Sequence, residues 1–310
     1  LGETDYQLGA TDYERFAAEY AFFGRSVWQQ TLNLTDEEKT ELIRLLQENY
    51  RPENRVYRYN FFYDNCATRP RDKIEESIAG KVIYPAEPQD GSLTFRDIVH
   101  QYCKGHPWAR FGIDLCIGSE ADQPITQRQM MFAPFYLMDA FDGAQIKGDS
   151  IQRPLITANE LIVDATPEPD ESDWMPTPLQ CSLLLFILTA AATIYGIRRR
   201  TGLWGIDLFL FGIAGIVGCV LAFLALFSQH PAVSSNFLLL VFHPGQLLFL
   251  PYIIYCVRKG KKCWYLTLNL AVLTLFIVLF PVIPQRFDFA VVPLALVLLI
   301  RSASNLIVTS

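Results

Sequence analysis

A cysteine separates an aromatic run from a charged run in the stretch "YNFFYDNCATRPRDKIEESIAG", which covers residues 59–80. The first run favours an extended strand, and the second favours a helix to about Ile78 that Gly80 ends. Cys66 therefore falls at or just before a helix start. There, backbone N–H groups and the helix dipole stabilise a thiolate, which is the attacking form of cysteine. Cys66 is a candidate nucleophile.

Two arginines follow this cysteine closely. Arg69 and Arg71 would add positive charge beside the thiol of Cys66 and so favour its thiolate form. The alternative is that Cys66 is a small buried residue and that the arginines lie on a solvated helix face. The spacing alone leaves both interpretations open.

The elements around this stretch carry local signals. Capping boxes mark three helix starts: Thr35 with Glu38, Thr94 with Asp97, and Thr126 with Gln129. The first predicts a helix from Asp36 to about Asn49, and Pro134 is expected to kink or interrupt the third helix. We expect strands near residues 57–63 and 154–164, and few strands in all. This part of the chain is therefore predicted to be α+β.

Charge divides the chain into two halves. Residues 1–177 contain 17 Lys and Arg against 30 Asp and Glu, whereas residues 178–310 contain 9 basic residues and only two acidic ones. Between them lies "DATPEPDESDWMPTP", too rich in proline and acids to form a core, with Trp174 suited to a bilayer interface. We predict an acidic soluble domain at residues 1–163, a linker at 164–178 and a membrane domain at 179–310. An acidic domain of this kind is a poor nucleic-acid binder.

The membrane domain contains five apolar runs long enough to cross a bilayer: about 179–197, 203–227, 236–257, 263–283 and 287–307. Basic residues concentrate in "RRRTG" and "RKGKK", which the positive-inside rule places in the cytoplasm. The soluble domain then lies in the periplasm of a Gram-negative cell, with the C-terminus in the cytoplasm. The fold class is an α+β domain followed by an all-α domain of five helices in the inner membrane.

An exported domain needs a signal peptide, and none is visible in a chain that begins at Leu1. We therefore expect an upstream segment to be missing and the soluble domain to be incomplete.

A disulfide between Cys103 and Cys116 would leave Cys66 as the lone thiol of this domain, although the sequence does not establish the pairing. No Cys/His cluster has metal-ligand spacing and no phosphate loop is present, so neither a metal nor a cofactor is expected.

Polar residues of the membrane half form a second candidate site at its membrane face, made of His230, Asn236 and His243. His243 lies within the third predicted span, and a polar side chain inside the bilayer is energetically costly and is often functional. The alternative is that Pro244 and Gly245 merely kink a helix in which His243 hydrogen-bonds a neighbouring carbonyl. We expect the five spans to shape a cavity for a lipid-linked substrate; otherwise they bind a partner protein or simply pack together. The predicted partners are membrane lipids and an envelope peptide or lipid-linked substrate, and no protein partner is identified.

Several segments resemble the Lnb-like family of bacterial inner-membrane proteins. Residues 8–142 are similar to its periplasmic domain and residues 179–310 to its five-helix membrane region. The matching segments are "LGATDYERFAAEYAFFGRSVWQQTLNL", "YNFFYDNCATRPRD", "TFRDIVHQY", "FGIDLCIGSEAD" and "FSQHPAVSSNFLLL". The family carries an Asn-Cys-Thr motif, which reads Asn65-Cys66-Ala67 here, with Thr68 one residue later. Its Gly-His segment would precede Leu1.

The order of histidine and cysteine in this family resembles that of circularly permuted papain-like hydrolases and their acyltransferase relatives. The resemblance implies that Cys66 is the nucleophile and that the general base lies upstream, so the fragment alone would be inactive. Asn65 and the Cys66 N–H are candidates for positioning or for oxyanion donation. The supporting candidates are Thr68, Arg69, Arg71 and Asp72. His100 and His106 are weaker candidates for the base.

Two function classes follow. The first is a membrane-anchored thiol hydrolase or acyltransferase that acts on an envelope peptide, amide or lipid acyl group. The second is a non-catalytic envelope sensor or assembly factor with a structural cysteine. The reactivity of Cys66 toward a mild alkylating agent would distinguish them.

Overall fold

The computed structural model describes residues 5–86, 93–148, 152–165, 175–228 and 230–309. They form two compact units. The first unit contains residues 5–98 and 124–165, and the second contains residues 99–123 and 175–309. The segment 99–123 thus groups with the helices that follow the linker, whereas the sequence-based boundaries assign it to the soluble domain. Most of the predicted linker, Trp174 included, lies outside the described residues.

Seven α-helices of the described chain precede residue 143: α1 (Tyr13–Phe22), α2 (Asp36–Asn49), α3 (Thr68–Ser77), α4 (Phe95–Tyr102), α5 (Pro107–Cys116), α6 (Gln127–Met130) and α7 (Pro134–Asp142). The predicted capping hydrogen bonds form at the starts of α2, α4 and α6. Pro134 interrupts the third predicted helix as expected, since α6 ends before it and α7 begins at it. These predictions are confirmed.

Seven short strands also occur in the described part of the first unit: β1 (Asp5–Gln7), β2 (Val27–Leu32), β3 (Val56–Arg58), β4 (Lys81–Ile83), β5 (Gln145–Lys147), β6 (Gln152–Pro154) and β7 (Ile156–Val163). They form three antiparallel sheets, β1 with β3, β2 with β7, and β4-β5-β6. The expectation of few strands was wrong, because five of the seven are only three residues long and carry almost no alternating pattern. The strand expected near 154–164 is confirmed as β7.

The strand predicted over residues 57–63 is much shorter. β3 ends at Arg58, and residues 61–63 form a turn closed by an isolated bridge between Asn60 and Asp64. The Asn60 side-chain oxygen accepts hydrogen bonds from the N–H groups of Phe62 and Tyr63, at 3.2 and 3.3 Å. An asparagine that bonds its own following backbone favours a turn over a strand. This turn leads directly into the cysteine segment.

Three stacked phenylalanines support that segment. Phe62 and Phe95 stack with ring centroids 4.1 Å apart, and Phe132 meets both rings edge-on. All three side chains are buried. A second cluster forms the apolar core between the strands and α2, α3 and α7 and includes Leu34, Ile78, Phe141, Ala144, Ile146, Leu155 and Ile156. The start of α3 is thus anchored in a packed interior.

Six α-helices of the described residues follow the linker: α8 (Pro178–Arg199), α9 (Trp204–Phe227), α10 (Pro244–Leu248), α11 (Leu250–Lys259), α12 (Trp264–Leu279) and α13 (Val291–Val308). Within the described residues, α8, α9 and α13 are each long and apolar enough to cross a membrane. α11 and α12 meet that test only as a pair, and they are bent by 112° relative to each other. The structure therefore has several apolar helices of membrane-spanning character, whereas the sequence predicts five spans.

The third predicted span, 236–257, is broken into pieces. A short 3-10 helix (Phe237–Leu240) is followed by α10 and then α11. Pro244 starts α10, and His243 before it has extended backbone dihedral angles. Proline removes one backbone donor and disfavours helical geometry in the residue before it. The break that the sequence indicated at Pro244 and Gly245 is therefore present.

Candidate functional site

Cys66 lies in the turn that precedes α3. The helix begins at Thr68, with Ala67 as its N-cap residue, and ends at Ser77 with Ile78 as its C-cap. The predicted position of Cys66 just before a helix that runs to about Ile78 is confirmed. The Cys66 side chain is exposed, and its thiol is free. The cysteine is therefore accessible, unlike a small residue buried in a core.

Asn65 fixes the conformation of this turn. Its side-chain oxygen accepts hydrogen bonds from the N–H groups of Ala67 and Thr68, at 2.8 and 2.9 Å. Its side-chain nitrogen donates to the backbone oxygens of Phe61 and Phe132, at 2.9 and 2.8 Å. The residue is 3% exposed. Since both amide hydrogens are used, this arrangement suits Asn65 for positioning the turn and leaves no side-chain hydrogen for an oxyanion.

Two further groups complete the turn. The Thr68 hydroxyl accepts a hydrogen bond from the Asn65 backbone N–H at 2.8 Å. This bond gives Thr68 the role of closing the cysteine turn from the helix side. The Cys66 N–H makes no hydrogen bond to any residue in the described ranges. That N–H remains able to stabilise a negatively charged oxygen.

The two arginines beside the cysteine are both paired with carboxylates. Arg69 contacts Asp64 through two nitrogens, at 2.6 and 2.9 Å. Arg71 is buried, contacts Asp72 and donates to the Arg128 backbone oxygen at 2.9 Å. Their positive charges are largely neutralised, so they stabilise the fold of α3 more than they raise the potential at the thiol.

Three tyrosines near the cysteine were not singled out from the sequence. Tyr6 and Tyr59 stack with ring centroids 4.3 Å apart, and the Arg69 guanidinium lies 3.5 Å from the centroid of the Tyr57 ring. Burial raises the pKa of Tyr59 to about 12, and a charge on Cys66 adds to the rise. The sequence feature that could have indicated this cluster is the alternation in "VYRYN", which places the rings of Tyr57 and Tyr59 on one face of an extended segment.

Asn65 provides a test of the turn. We expect Asn65→Ala to lower the free energy of unfolding by at least about 2 kcal/mol, because it leaves two buried N–H groups and two carbonyls without partners. Thermal unfolding of the purified protein measures this loss. The matched control is Asn54→Ala, which removes one exposed side-chain bond to the Glu48 backbone oxygen and should cost less than about 1 kcal/mol. Equal losses in the two variants would contradict the positioning role.

The other cysteines of the soluble half remain unpaired. Cys103 and Cys116 are free thiols in this structure, so the disulfide considered from the sequence is not formed. Burial raises the pKa of both thiols, and the nearby Asp114 carboxylate raises that of Cys103 further. Both are less available as thiolates than an exposed, unperturbed cysteine. The described residues contain no cluster of three or more His, Cys, Asp or Glu side chains that could hold a metal ion.

The three polar residues proposed for the membrane face have separate surroundings. The Asn236 side chain donates to the Leu115 backbone oxygen at 2.7 Å and accepts from the Gln285 side chain at 3.2 Å, so it connects the end of α5 to the segment between α12 and α13. His243 lies 3.3 Å from the Asn269 side-chain oxygen. His230 is half-buried in the connection after α9, where burial lowers its pKa. No hydrogen bond joins any two of the three within the described ranges.

The second unit contains a buried ion pair that was not predicted from the sequence. Asp207 of α9 contacts Arg301 of α13 through both oxygens, at 2.7 and 2.9 Å, and Arg301 also donates to the Thr193 hydroxyl at 3.0 Å. Both charged side chains are at most 3% exposed. The available signal was one acidic and one basic residue in two otherwise apolar runs, since charges there are normally paired.

Comparison with family models gives two matches. The model described as the Lnb N-terminal periplasmic domain matches residues 1–100, and the one described as the Lnb transmembrane domain matches residues 170–310. Neither the curated proteins nor the solved structures gave a match. The first matched segment precedes the linker and the second begins within it, and together they agree with a mixed α/β part followed by apolar helices. The chain therefore belongs to the Lnb family of membrane proteins, with a periplasmic N-terminal domain joined to a transmembrane domain.

Proposed function

We propose that this protein is a membrane-anchored, thiol-dependent hydrolase or acyltransferase of the envelope, with Cys66 as its nucleophile. The observation that carries the proposal is an exposed cysteine on a turn held by a buried asparagine at the start of a helix. A structural cysteine would instead be expected to pack inside the core. The substrate class is a peptide, an amide or a lipid acyl group.

The chemistry follows from the thiol. A base removes the Cys66 proton, and the sulfur electron pair forms a bond to the acyl carbon while the carbonyl oxygen becomes negative. The Cys66 N–H is available to stabilise that oxygen. When the carbonyl reforms, the leaving group departs with a proton and a thioester remains on Cys66. Water then completes a hydrolysis, and an amine or alcohol completes an acyl transfer.

A histidine acting as general base would come from outside the first unit. All four histidines of the chain, at positions 100, 106, 230 and 243, lie in the second unit. We propose that the base is a histidine placed before the cysteine in chain order, as in permuted papain-like enzymes. Locating that base is a separate experiment from establishing the nucleophile.

Alkylation of Cys66 tests the nucleophile directly. We expect iodoacetamide at pH 7 to modify Cys66 faster than it modifies free N-acetylcysteine, because the exposed sulfur lies at the start of α3, whose positive end faces the attacking group. Mass spectrometry of peptides from the full-length protein gives the rate for each cysteine, with the half-buried Cys103 and Cys116 as internal controls. A rate at or below that of N-acetylcysteine would favour the non-catalytic sensor or assembly factor.

The membrane half offers an apolar space for a lipid-linked substrate. A cavity of about 170 Å³ lies between α5, α8, α9 and α13. Its lining is almost entirely apolar and includes Phe111, Leu185, Phe209, Ile213, Phe242 and Val297. Apolar cavities of this kind accept hydrocarbon groups. This supports, as part of the proposal, membrane lipids as ligands of the second unit.

We further propose five spans in the inner membrane, with a cytoplasmic C-terminus. The basic connections at residues 198–201 and 258–262 then face the cytoplasm. In a cysteine-free background, single cysteines at Thr201→Cys and Lys262→Cys should resist an impermeant maleimide in intact spheroplasts. Pro284→Cys, in the connection of opposite predicted location, should react and is the control. If the cysteines in the two basic connections are labelled as fast as Pro284→Cys, these connections do not lie in the cytoplasm and the proposed topology is wrong.

A further inference from the structure

A second cleft lies entirely within the second unit and contains none of the residues of the cysteine turn. It has a volume of about 400 Å³ and is bounded by α5, the start of α8 and residues 286–289. Its polar lining includes His100, Arg110, Asp114, Arg286 and Asp288. Neither the family match nor the proposed thiol chemistry assigns a role to these residues.

A histidine in this cleft is oriented by a buried carboxylate. His100 Nε2 lies 2.8 Å from Asp114 Oδ1, and the Asp114 side chain is only 4% exposed. A carboxylate at this distance can accept a hydrogen bond from Nε2–H and so fixes the orientation of the ring, and in the neutral tautomer with this bond the other ring nitrogen, Nδ1, is the acceptor. Nδ1 then carries the lone pair, and it has no hydrogen-bond partner among the described residues. His100 therefore presents a proton-accepting nitrogen and is 30% exposed.

The cleft also contains an arginine with unused donors. The single contact that Arg110 makes through its side chain to the described residues is to Asp288 at 3.4 Å, longer than the 2.7 Å of the Asp207–Arg301 pair. Asp288 uses its other oxygen to accept from the Ala290 N–H at 2.8 Å. The remaining nitrogens of Arg110 can bind a phosphate in the two-point geometry that guanidinium favours.

The start of α8 also favours the binding of an anion in this cleft. Thr177, Pro178 and Leu179 line the cleft and form the beginning of a helix of 22 residues. The N-terminal end of such a helix carries partial positive charge, which stabilises an anion. This field adds to the guanidinium of Arg110 and partly offsets the carboxylate of Asp288.

We propose that this cleft binds a phosphate ester that also bears a hydroxyl group. Arg110 holds the phosphate, and His100 Nδ1 accepts a hydrogen bond from the hydroxyl while Asp114 keeps the ring in place. The same chemistry occurs in soluble glycerol phosphate and in the headgroup of phosphatidylglycerol. The proposal is independent of Cys66, because its residues and its measurement do not involve the thiol.

Selective labelling makes the test direct, since the chain has only four histidines. The full-length protein is labelled with ¹⁵N-histidine, and the His100 signals are assigned with His100→Gln. We expect glycerol 3-phosphate to shift the His100 Nδ1 resonance in a saturable way and to bind more tightly than inorganic phosphate. Arg110→Gln should weaken binding about tenfold or more, because a charged two-point contact is lost. Arg44→Gln, an exposed and ion-paired arginine of α2, should leave binding unchanged.

A second arm identifies the source of the ligand. The same resonance is compared in nanodiscs of phosphatidylcholine with and without phosphatidylglycerol. A shift only with the lipid assigns the site to a membrane headgroup, and a shift only with glycerol phosphate assigns it to a soluble ester. Absence of any saturable shift in both arms, or equal affinity of Arg110→Gln and the unmodified protein, would overturn the proposal.

Discussion

Replacing Cys66 by serine or alanine is expected to lower turnover on the order of 10⁴-fold in full-length protein, because the group that forms the covalent intermediate is lost. The effect should appear in kcat, since Cys66 acts on the reacting carbon more than on substrate binding. Hydrolysis of an activated ester such as p-nitrophenyl butyrate provides the measurement where the native acyl donor is unidentified.

Because Cys66 is exposed, this experiment can separate a loss of turnover from a loss of stability. An exposed side chain with no packing role should be replaceable at a cost within about 0.5 kcal/mol of stability, so lost turnover would not reflect unfolding. Cys181→Ser in α8 is the control, because it removes another free thiol, which is half-exposed, without touching the turn. Turnover of Cys66→Ser within a few-fold of the unmodified protein would assign the activity elsewhere and leave Cys66 without a catalytic role.

The helices that position the cysteine were predictable because their signals are local. Thr35 and Glu38 are three residues apart and satisfy each other's backbone groups, so the start of α2 needs no information from the rest of the chain. The same holds for the interruption at Pro134. The placement of Cys66 before α3 also follows from neighbours in sequence, since Asn65 caps the turn through residues two and three positions later.

The parts that could not be predicted depend on distant partners. Asn236 appeared to be a free polar group at a membrane face, but its partner at Leu115 is 121 residues away. The Asn65 bond to Phe132 spans 67 residues and makes the amide unavailable for an oxyanion. A single sequence shows that such a residue is polar. Only the fold shows which backbone carbonyl oxygen accepts the hydrogen bond of its side-chain amide.

The membrane half also shows why a count of apolar runs differs from a count of long helices. The run 236–257 has the length and composition of a span, yet Pro244 separates the 3-10 helix (Phe237–Leu240) from α10, and a second break at Phe249 separates α10 from α11. One backbone oxygen near the break is satisfied locally: Gln246, fully buried, donates to the Val241 backbone oxygen at 2.7 Å. Irregular backbone is tolerated at such depth only where protein groups bond it.

The ion pair between Asp207 and Arg301 should give the largest stability effect in the second unit. Asp207→Leu leaves a buried guanidinium without its carboxylate, and Arg301→Leu leaves a buried carboxylate without its cation. Each change is expected to lower the free energy of unfolding by about 3–5 kcal/mol. The double variant Asp207→Leu/Arg301→Leu should recover most of that loss, because two apolar side chains need no partner.

A double-mutant cycle measured by reversible unfolding in detergent gives the coupling between the two residues. Neutralising the exposed pair of α2 with Glu41→Gln is the control and should leave the free energy of unfolding almost unchanged, because water already screens those charges. If the double variant is as unstable as the sum of the single variants, the pair is not an isolated ion pair, and Thr193 or another neighbour must carry the energy. If it regains stability but loses turnover, the charges between α9 and α13 are retained for function, since stability alone could then be supplied by leucine.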